Sequence, residues 1–414
     1  MRLHLIANGV FSTGIAGGDI HFLKLAEGAA RAGHELNFFG GQALREVLAA
    51  HHLPGTVTLT DHTKLPKINQ SALGGQLAMF RDFYGRYQRT LPLLRQIQPG
   101  DAVYAVSDYW FDVLPAIRSP AHLQMMVLHM EAPTLGQIIR RGRPDVDPKR
   151  LASLHYWASQ EYSLRRFCAG QRRESPGKRR HLFYLHPLMQ PRLTKLGVRA
   201  DQMTLVSYGL EVEQTESVPA PPREYDAVWI GRVHRQKGID DLLSALAFLA
   251  RELPDFRAVL IGNVRDALAP AIAAHRLENH VRFSGFVSEE EKIRLFKASR
   301  CFLMPSKHEG SPRVIGESII AGTPVIAYDI PNYRPLFGDF VRYVPPFDPV
   351  KFQESAAKEI RIMRAGENYL DRLDLKTFKQ QNSWETTQQK FLKALAQPIF
   401  AQAGLGTSSH PSLR

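Results

Sequence analysis

The chain alternates short apolar segments with longer helical stretches, and it does so in two separate blocks. Six strand-like segments of the first block cover residues 3–7, 35–39, 102–106, 124–128, 182–185 and 204–207. Six more in the second block cover residues 227–230, 258–261, 281–284, 301–304, 324–327 and 341–344. Strands that alternate with helices are typical of parallel sheets with crossover helices. The pattern therefore predicts an α/β protein with two doubly wound, Rossmann-like domains.

A proline-rich segment separates the two blocks. Residues 211–225 include three prolines, which indicates a linker. With 414 residues the chain is too long for one ordinary core, so domains over residues 1–210 and 226–381 are expected. These domains should face each other across a cleft, because ligands of open parallel sheets bind at the carboxyl ends of the strands. Residues 401–414 are rich in Gly and Ser and are expected to be flexible.

The net charge of +13 is concentrated in one region. Residues 134–199 contain 15 Lys or Arg and four acids, so this region carries +11 of the total. Such a field attracts anionic partners: a nucleotide sugar, a phosphorylated or lipid-linked acceptor, an anionic membrane or a nucleic acid. The plainer interpretation is a helix that packs its apolar face on the first sheet and turns its charges to water.

Cysteine content and hydropathy bear on the compartment. Only Cys168 and Cys301 are present, in different predicted domains, which argues against a disulfide framework and fits a reducing environment. The N-terminus lacks the long apolar region of a signal peptide, and no run of 18 apolar residues predicts a transmembrane helix. We expect a cytoplasmic protein, with residues 134–199 as a candidate for peripheral contact with the inner face of an anionic membrane.

Two carboxylates eight residues apart form the most informative motif. Glu309 lies in a turn with Gly310 and Ser311 after an apolar strand, and Glu317 lies inside a predicted helix that ends at Gly322. Backbone N–H groups are unpaired at the start of a helix, where the dipole favours negative charge. Carboxylates at two depths can accept hydrogen bonds from hydroxyls on two parts of one ligand. The motif predicts a nucleotide-sugar site.

Two cations follow the first strand of the second block. Arg232 and Lys237 lie between that strand and a predicted helix over residues 239–251, so both project from the carboxyl edge of the sheet. Arg offers a bidentate fork and Lys a compact charge, and together they can neutralise a diphosphate. A solvated basic loop is the commoner fate of an isolated pair of this kind. The spacing along the sequence between this pair and the two carboxylates favours diphosphate binding over a solvated loop.

Together these motifs resemble the retaining glycosyltransferases of the GT-B fold, and family 4 (glycosyl transferases group 1) in particular. The resemblance implies that Arg232 and Lys237 clasp the diphosphate of a nucleotide sugar, that Glu309 holds sugar hydroxyls and that Glu317 holds the ribose diol. It also implies that a helix within residues 382–400 returns to the first domain. One departure is that Ser311 and the proline after it replace the family's usual aromatic residue and glycine.

The resemblance extends to residues of the first domain. His129 ends an apolar strand, where the family's histidine reaches the cleft beside the donor sugar; a packed, hydrogen-bonded histidine is the alternative. Gly17 and Gly18 precede the first helix, where missing side chains let a phosphate or acceptor approach closely. Without the resemblance such a glycine pair is usually a turn. Glu131 is a further candidate for contact with the acceptor.

The base and ribose are expected to lie beside strand ends of the second domain. By resemblance, Asn263, Phe286 and Val287 border that pocket, although ordinary strand-end turns explain each of them almost as well. Asp145 and Asp147 spell a D-x-D metal motif that recurs by chance, and the cations already cover the diphosphate charge. We therefore expect neither a metal ion nor another cofactor.

The implied reaction is transfer of a sugar, with retained configuration, from a nucleotide diphosphate to a hydroxyl of a glycan or lipid-linked acceptor. The leaving phosphate is stabilised electrostatically as the bond to the sugar lengthens. A nucleic-acid-binding protein that uses residues 134–199 is the alternative from another class, and we do not expect nucleic acid as a partner. A sugar-nucleotide epimerase or a phosphorylase on a similar scaffold is the alternative among enzymes.

Overall fold

A computed structural model describes residues 1–10, 17–61, 73–140, 146, 151–172, 178–253 and 255–397. The first seven strands are β1 (Arg2–Ile6), β2 (Glu35–Gly41), β3 (Thr56–Asp61), β4 (Ala102–Ala105), β5 (Leu123–Leu128), β6 (Arg179–Tyr184) and β7 (Met203–Leu205). They form one parallel sheet in the order β3-β2-β1-β4-β5-β6-β7. The helices of this part are α1 (Gly17–Arg31), α2 (Gln42–Ala50), α3 (Leu73–Leu93), α4 (Trp110–Arg118), α5 (Leu135–Arg140), α6 (Leu151–Arg172), α7 (Gln190–Lys195) and α8 (Val212–Ser217).

The second sheet has six parallel strands in the order β10-β9-β8-β11-β12-β13. They are β8 (Tyr225–Ile230), β9 (Ala258–Ile261), β10 (Val281–Gly285), β11 (Ser299–Met304), β12 (Val325–Tyr328) and β13 (Arg342–Val344). Their helices are α9 (Ile239–Glu252), α10 (Arg265–Ala274), α11 (Glu289–Lys297), α12 (Arg313–Ile320), α13 (Arg334–Phe337), α14 (Pro349–Arg364), α15 (Leu375–Gln381) and α16 (Trp384–Ala396). The predicted fold class, two Rossmann-like domains, is confirmed.

Strand composition explains why both sheets are parallel and covered on two faces. All six residues of β5 and all four of β12 are buried, as expected for strands with helices on both sides. Apolar clusters cover opposite faces of the first sheet, with Leu5 and Val127 in one and Ile6 and Leu128 in the other. In each sheet the strand order reverses beside the first strand, between β1 and β4 and between β8 and β11. Ligands bind at such reversal points.

Helix α16 belongs to the second half of the sequence but packs on α1 of the first domain, as the fold prediction expects. It begins after Ser383, whose hydroxyl accepts a hydrogen bond from the backbone N–H of Thr386 at 3.1 Å. The Gln388 side chain donates to the Lys24 carbonyl at 2.7 Å. A Cβ on Gly28 of α1 would lie 2.7 Å from the Gln388 side chain, so glycine permits this close approach.

The chain crosses between the domains twice at one place. Leu210, on the way out of the first domain, pairs with Ser383 in an isolated parallel bridge, and its N–H donates to the Asn382 carbonyl at 2.8 Å. A Cβ on Gly209 would lie 2.4 Å from the Trp384 ring, so the two crossings are in direct contact. They form a two-stranded connection between the sheets.

Two features differ from the sequence prediction, and a third prediction is not tested. Strand β3 was not predicted, and it lies at the edge of its sheet with only Thr60 and Asp61 buried. Residues 211–225, predicted as a linker, begin with α8, because the three prolines all follow that helix. The predicted tail, 401–414, lies outside the described residues. No described helix is long and apolar enough to cross a membrane.

Candidate functional site

A cavity of about 880 Å³ lies between the two domains, at the carboxyl ends of the second sheet. It brings together ten of the twelve site residues predicted from the sequence, which are His129, Arg232, Lys237, Asn263, Phe286, Val287, Glu309, Gly310, Ser311 and Glu317. The segments after β8 and β11 meet here because these strands are neighbours on either side of the reversal point. The other two residues, Gly17 and Gly18, lie behind its wall.

Lys237 and Glu309 form an ion pair at the centre of the cavity wall. The Lys237 Nζ lies 2.6 Å from the Glu309 Oε1, and the two side chains are 15% and 10% exposed. Lys237 ends a short 3-10 turn, and Gly238 after it has φ +63°. A Cβ on Gly238 would lie 2.0 Å from the Pro305 carbonyl oxygen, so only glycine lets the two strand-end segments approach this closely.

Arg232 differs from Lys237 because its guanidinium group has no ion-pair partner among the described residues. Its side chain is exposed and lines the cavity, and it forms no hydrogen bond or ion pair with the residues that the structure describes. A guanidinium group in this state can bind a diphosphate without first breaking an internal contact.

Glu317 is buried at the base of the cavity between two cations. Its Oε1 accepts hydrogen bonds from Arg313 Nε at 2.7 Å and from Lys292 Nζ at 3.0 Å. Burial by itself raises the pKa of Glu317, but Arg313 and Lys292 outweigh burial and hold that pKa below its usual range. The carboxylate therefore stays ionised. Its second oxygen, Oε2, is buried and has no hydrogen-bond partner among the residues that the structure describes.

Sequence reasoning missed Lys292 and Arg313. Lys292 also contacts Glu289 at 2.7 Å, and only 8% of its side chain is exposed. In the sequence it follows three consecutive glutamates, a pattern typical of a solvated helix face. Its buried position is visible only once α11 is docked against α12. The Arg313–Glu317 pair could have been predicted, because Arg313 stands four residues before Glu317, which is the spacing of an ion pair on a helix.

His129 lies on the first-domain side of the cavity. Its Nε2 is 3.1 Å from the Val106 carbonyl oxygen, which assigns the proton to Nε2 and leaves Nδ1 as an acceptor. Nδ1 is buried and has no hydrogen-bond partner in the described part of the chain. A Cβ on Gly18 would lie 3.5 Å from the His129 ring, and one on Gly17 would lie 3.5 Å from the Tyr208 hydroxyl. The glycines thus bring the start of α1 against two rings that line the cavity.

A polar network supports the strand end that carries His129. Asp108 is buried and accepts a hydrogen bond from Gln160 Nε2 at 2.9 Å, and the same Nε2 donates to the Met130 carbonyl at 2.7 Å. Burial raises the pKa of Asp108, with His129 acting in the opposite direction. The buried His21 packs edge to face against the His129 ring, with 5.7 Å between the two ring centroids. Burial lowers the pKa of His21 to about 3, so that ring is neutral.

The far end of the cavity is apolar and partly open. Asn263 follows β9, and Phe286 and Val287 follow β10. The Phe286 side chain is 92% exposed, although it borders the cavity. An exposed aromatic ring at the rim of a cavity can stack on a planar base.

The structure divides the basic region into internal and external charges. Arg179 hydrogen-bonds Ala394 and Gln397 at the end of α16, and Arg180 donates to the Phe167 carbonyl in α6. Arg192 pairs with Glu161 and Glu131. These arginines hold elements together, whereas Arg166 is exposed. Asp145 and Asp147 of the D-x-D motif lie outside the described residues, so the metal-free expectation stays a prediction.

Comparison with known proteins finds a match to a family model over part of the chain. Residues 212–374 match the model of the family "Glycosyl transferases group 1". A 2-deoxystreptamine glucosyltransferase of Streptomyces kanamyceticus is 29% identical over 150 residues, 33% of this chain and 39% of that protein. A phosphatidyl-myo-inositol mannosyltransferase of Mycobacterium tuberculosis is 31% identical over 139 residues, 33% of this chain and 36% of that protein. The matched segment thus spans less than two fifths of these relatives.

Solved structures resemble the whole chain. Anabaena Alr3699/HepE, in complex with UDP and glucose, has a TM-score of 0.65 at 17% identity and covers 95% of this chain and 99% of its own. Sucrose-phosphate synthase from Thermosynechococcus elongatus has a TM-score of 0.68 at 16% identity and covers 95% and 98%. The chain therefore has the GT-B fold, and residues 212–374 are similar to group 1 glycosyltransferases.

Proposed function

We propose that the chain is a retaining glycosyltransferase of family 4, which moves a hexose from a nucleotide diphosphate to an acceptor hydroxyl. The observation that carries the proposal is the charge arrangement of one cavity. An uncommitted cation (Arg232) and an unpartnered carboxylate oxygen (Glu317 Oε2) flank the Lys237–Glu309 ion pair. A nucleotide sugar has the complementary groups in the same molecule: an anionic diphosphate, a ribose diol and the hydroxyls of the sugar.

Each residue has one task in this proposal. Arg232 and Lys237 bind the diphosphate and stabilise the charge that develops on the leaving phosphate oxygen. Glu317 Oε2 accepts hydrogen bonds from the ribose, and Glu309 accepts them from the donor sugar. His129 Nδ1 accepts a hydrogen bond from a sugar hydroxyl, because its Nε2–H is directed to Val106. No residue of this set is needed as a general base, since the departing phosphate can take the proton of the acceptor.

The relatives support the substrate classes. The printed names describe a glucosyltransferase acting on 2-deoxystreptamine and a mannosyltransferase acting on phosphatidyl-myo-inositol, and the Anabaena protein holds UDP and glucose. Hydroxylated rings are the acceptors in both names. We extend this to a glycan or lipid-linked acceptor in glycoconjugate or cell-surface polysaccharide synthesis. The comparisons give no support to the nucleic-acid-binding and epimerase alternatives.

Donor binding is the first test. In thermal-shift measurements with UDP-, GDP- and ADP-sugars, the donors that carry one of the three bases should raise the melting temperature. The reason is that a ligand at 100 times its Kd adds about 2.7 kcal/mol of stability. Product analysis should then show a glycoside with the anomeric configuration of the donor. An inverted product would refute retention, and an epimerised nucleotide sugar would refute transfer.

Full activity in excess EDTA is expected, because two cations already face the diphosphate.

Peripheral membrane contact is a second proposal, for a cytoplasmic protein at the inner face. Ile139 and Tyr162 are exposed large apolar residues within the basic region, close in sequence to Arg140 and Arg166. Apolar side chains beside basic ones can enter an anionic bilayer surface, and each basic residue contributes about 1 kcal/mol. Flotation with vesicles containing anionic lipid should recover the protein, and flotation with neutral vesicles should not. Equal recovery from both would refute the electrostatic contact.

A further inference from the structure

A second, smaller cavity adjoins the donor cavity. Its volume is about 250 Å³, and residues of both domains line it. Glu131 and Leu188 lie on the first-domain side and His308 on the second. Met130, Glu309 and Gly310 line both cavities. The two cavities therefore meet at the turn that carries Glu309.

The shared wall is fixed across the cleft. The Asn332 side-chain amide donates to the carbonyl oxygens of Glu309 at 2.5 Å and Gly310 at 3.2 Å. The Asn332 carbonyl in turn accepts a hydrogen bond from His186 Nε2 of the first domain at 2.7 Å. A Cβ on Gly310 would lie 3.1 Å from the Met130 side chain. These contacts fix the turn that forms the shared wall of the two cavities.

The charge of the lining restricts what the small cavity can hold. Glu131 and Glu309 contribute carboxylates, and none of the described residues that line it is Lys or Arg. Lys237 pairs with Glu309 from the donor cavity, and Arg192 lies 3.7 Å from Glu131. Neither cation is among the described lining residues, so a phosphate or carboxylate in this space would face the two carboxylates, which disfavours it. Uncharged hydroxyls would instead donate hydrogen bonds to the carboxylate oxygens.

We infer that this cavity is the acceptor subsite and that it takes one uncharged, polyhydroxylated ring, with Glu131 accepting hydrogen bonds from its hydroxyls. The inference rests on the proposed transferase function. The space suits a single sugar or cyclitol ring. It adjoins Glu309, where the donor sugar is proposed to lie. A hydroxyl oxygen of the ring forms the new bond to C1 of the donor sugar as the bond from C1 to the phosphate oxygen breaks. The hydroxyl proton passes to that phosphate oxygen, giving a glycoside and a nucleoside diphosphate.

Thiol labelling tests the subsite without requiring turnover. Both native cysteines are buried, so Leu188→Cys, at a position 46% exposed in the cavity wall, introduces an accessible thiol. Methyl α-D-glucopyranoside or myo-inositol should slow its reaction with a maleimide, about twofold when half of the sites are occupied. Glucose 6-phosphate should not. The matched control is Tyr162→Cys, 52% exposed but outside the lining, where neither sugar should slow labelling.

Charge reversal gives the second arm. In the Leu188→Cys background, Glu131→Lys should abolish protection by the neutral rings and allow protection by glucose 6-phosphate. Glu161→Lys is the control, because Glu161 also pairs with Arg192 but does not line the cavity; its protection pattern should stay unchanged. Protection by neither ring in the Leu188→Cys protein, or stronger protection by glucose 6-phosphate, overturns the inference. The labelling experiment uses no donor, so its result is independent of sugar transfer. Turnover of the donor without protection of the Leu188→Cys thiol would refute the acceptor subsite alone. Protection of the thiol in a protein that binds no nucleotide sugar would refute the transferase function alone.

Discussion

Removing the Lys237 ammonium should damage folding and catalysis for two separable reasons. The ion pair with Glu309 is 2.6 Å long, and its side chains are only 15% and 10% exposed. Breaking a buried pair from one side costs about 3–5 kcal/mol, because the remaining charge loses its partner. This pair keeps some contact with water, so Lys237→Met should cost about 3 kcal/mol of unfolding free energy. The same change removes a cation from the diphosphate and should lower kcat/KM at least ~100-fold, about 3 kcal/mol.

The double variant separates the two effects. Lys237→Met with Glu309→Gln leaves no unpaired charge, so urea unfolding should recover most of the stability lost in either single variant. Transfer rates should recover nothing, since both side chains contact the donor in the proposal. Lys307→Met is the control, because its pair with Asp241 at 3.1 Å is more exposed and lies outside the cavity lining. It should cost at most ~1 kcal/mol and leave transfer unchanged. Strictly additive stability losses, or a Lys237→Met enzyme within a few-fold of wild type, would refute this reasoning.

Three further outcomes are expected. Gly238→Ala should lower stability by at least ~2 kcal/mol and depress transfer, because left-handed backbone and a Cβ 2.0 Å from the Pro305 oxygen both oppose it; melting and rate measurements check this, and unaltered values would contradict it. Glu317→Gln should weaken calorimetric donor binding about tenfold, ~1.4 kcal/mol, and a donor lacking both ribose hydroxyls should bind wild type and variant equally; a further loss in the variant would refute the ribose contact. His21 has a pKa of about 3 in the folded state against 6.5 unfolded, so the unfolded state holds more protons between those values and stability falls as pH drops below 6.5. His21→Phe should flatten that acid limb in urea titrations, and an unchanged slope would contradict the assignment.

Of the thirteen strands in the described part of the chain, the sequence pattern predicted all but β3. Strand β5 reads Leu-Gln-Met-Met-Val-Leu, with five apolar residues of six, and its predicted bounds differ from the observed ones by one residue. Strand β3 reads Thr-Val-Thr-Leu-Thr-Asp at a sheet edge and lacks that signal. Composition did not predict α8 inside the linker, because the three prolines that mark the linker all lie after that helix.

The candidate site was predictable where it depends on local spacing. Arg232 and Lys237 share one strand-end segment and Glu309 and Glu317 another, so adjacency of β8 and β11 suffices to bring them into one cavity. Lys292 reaches Glu317 only through the packing of two helices. Likewise, net charge cannot distinguish the exposed Arg166 from Arg180, which is occupied inside the first domain. The roles assigned to these residues stay predictions.

The double crossing at Leu210 and Ser383 restricts how the two domains can move relative to each other. Two polypeptide segments that run side by side resist bending in their common plane. The two domains should therefore rotate about one axis and not move independently. Such a rotation would change the width of the cavity that Arg232 and His129 line from different domains. Cutting the chain before Trp384 would remove one strand of the hinge and also strip α1 of its cover, so this short terminal piece governs motion and folding at once.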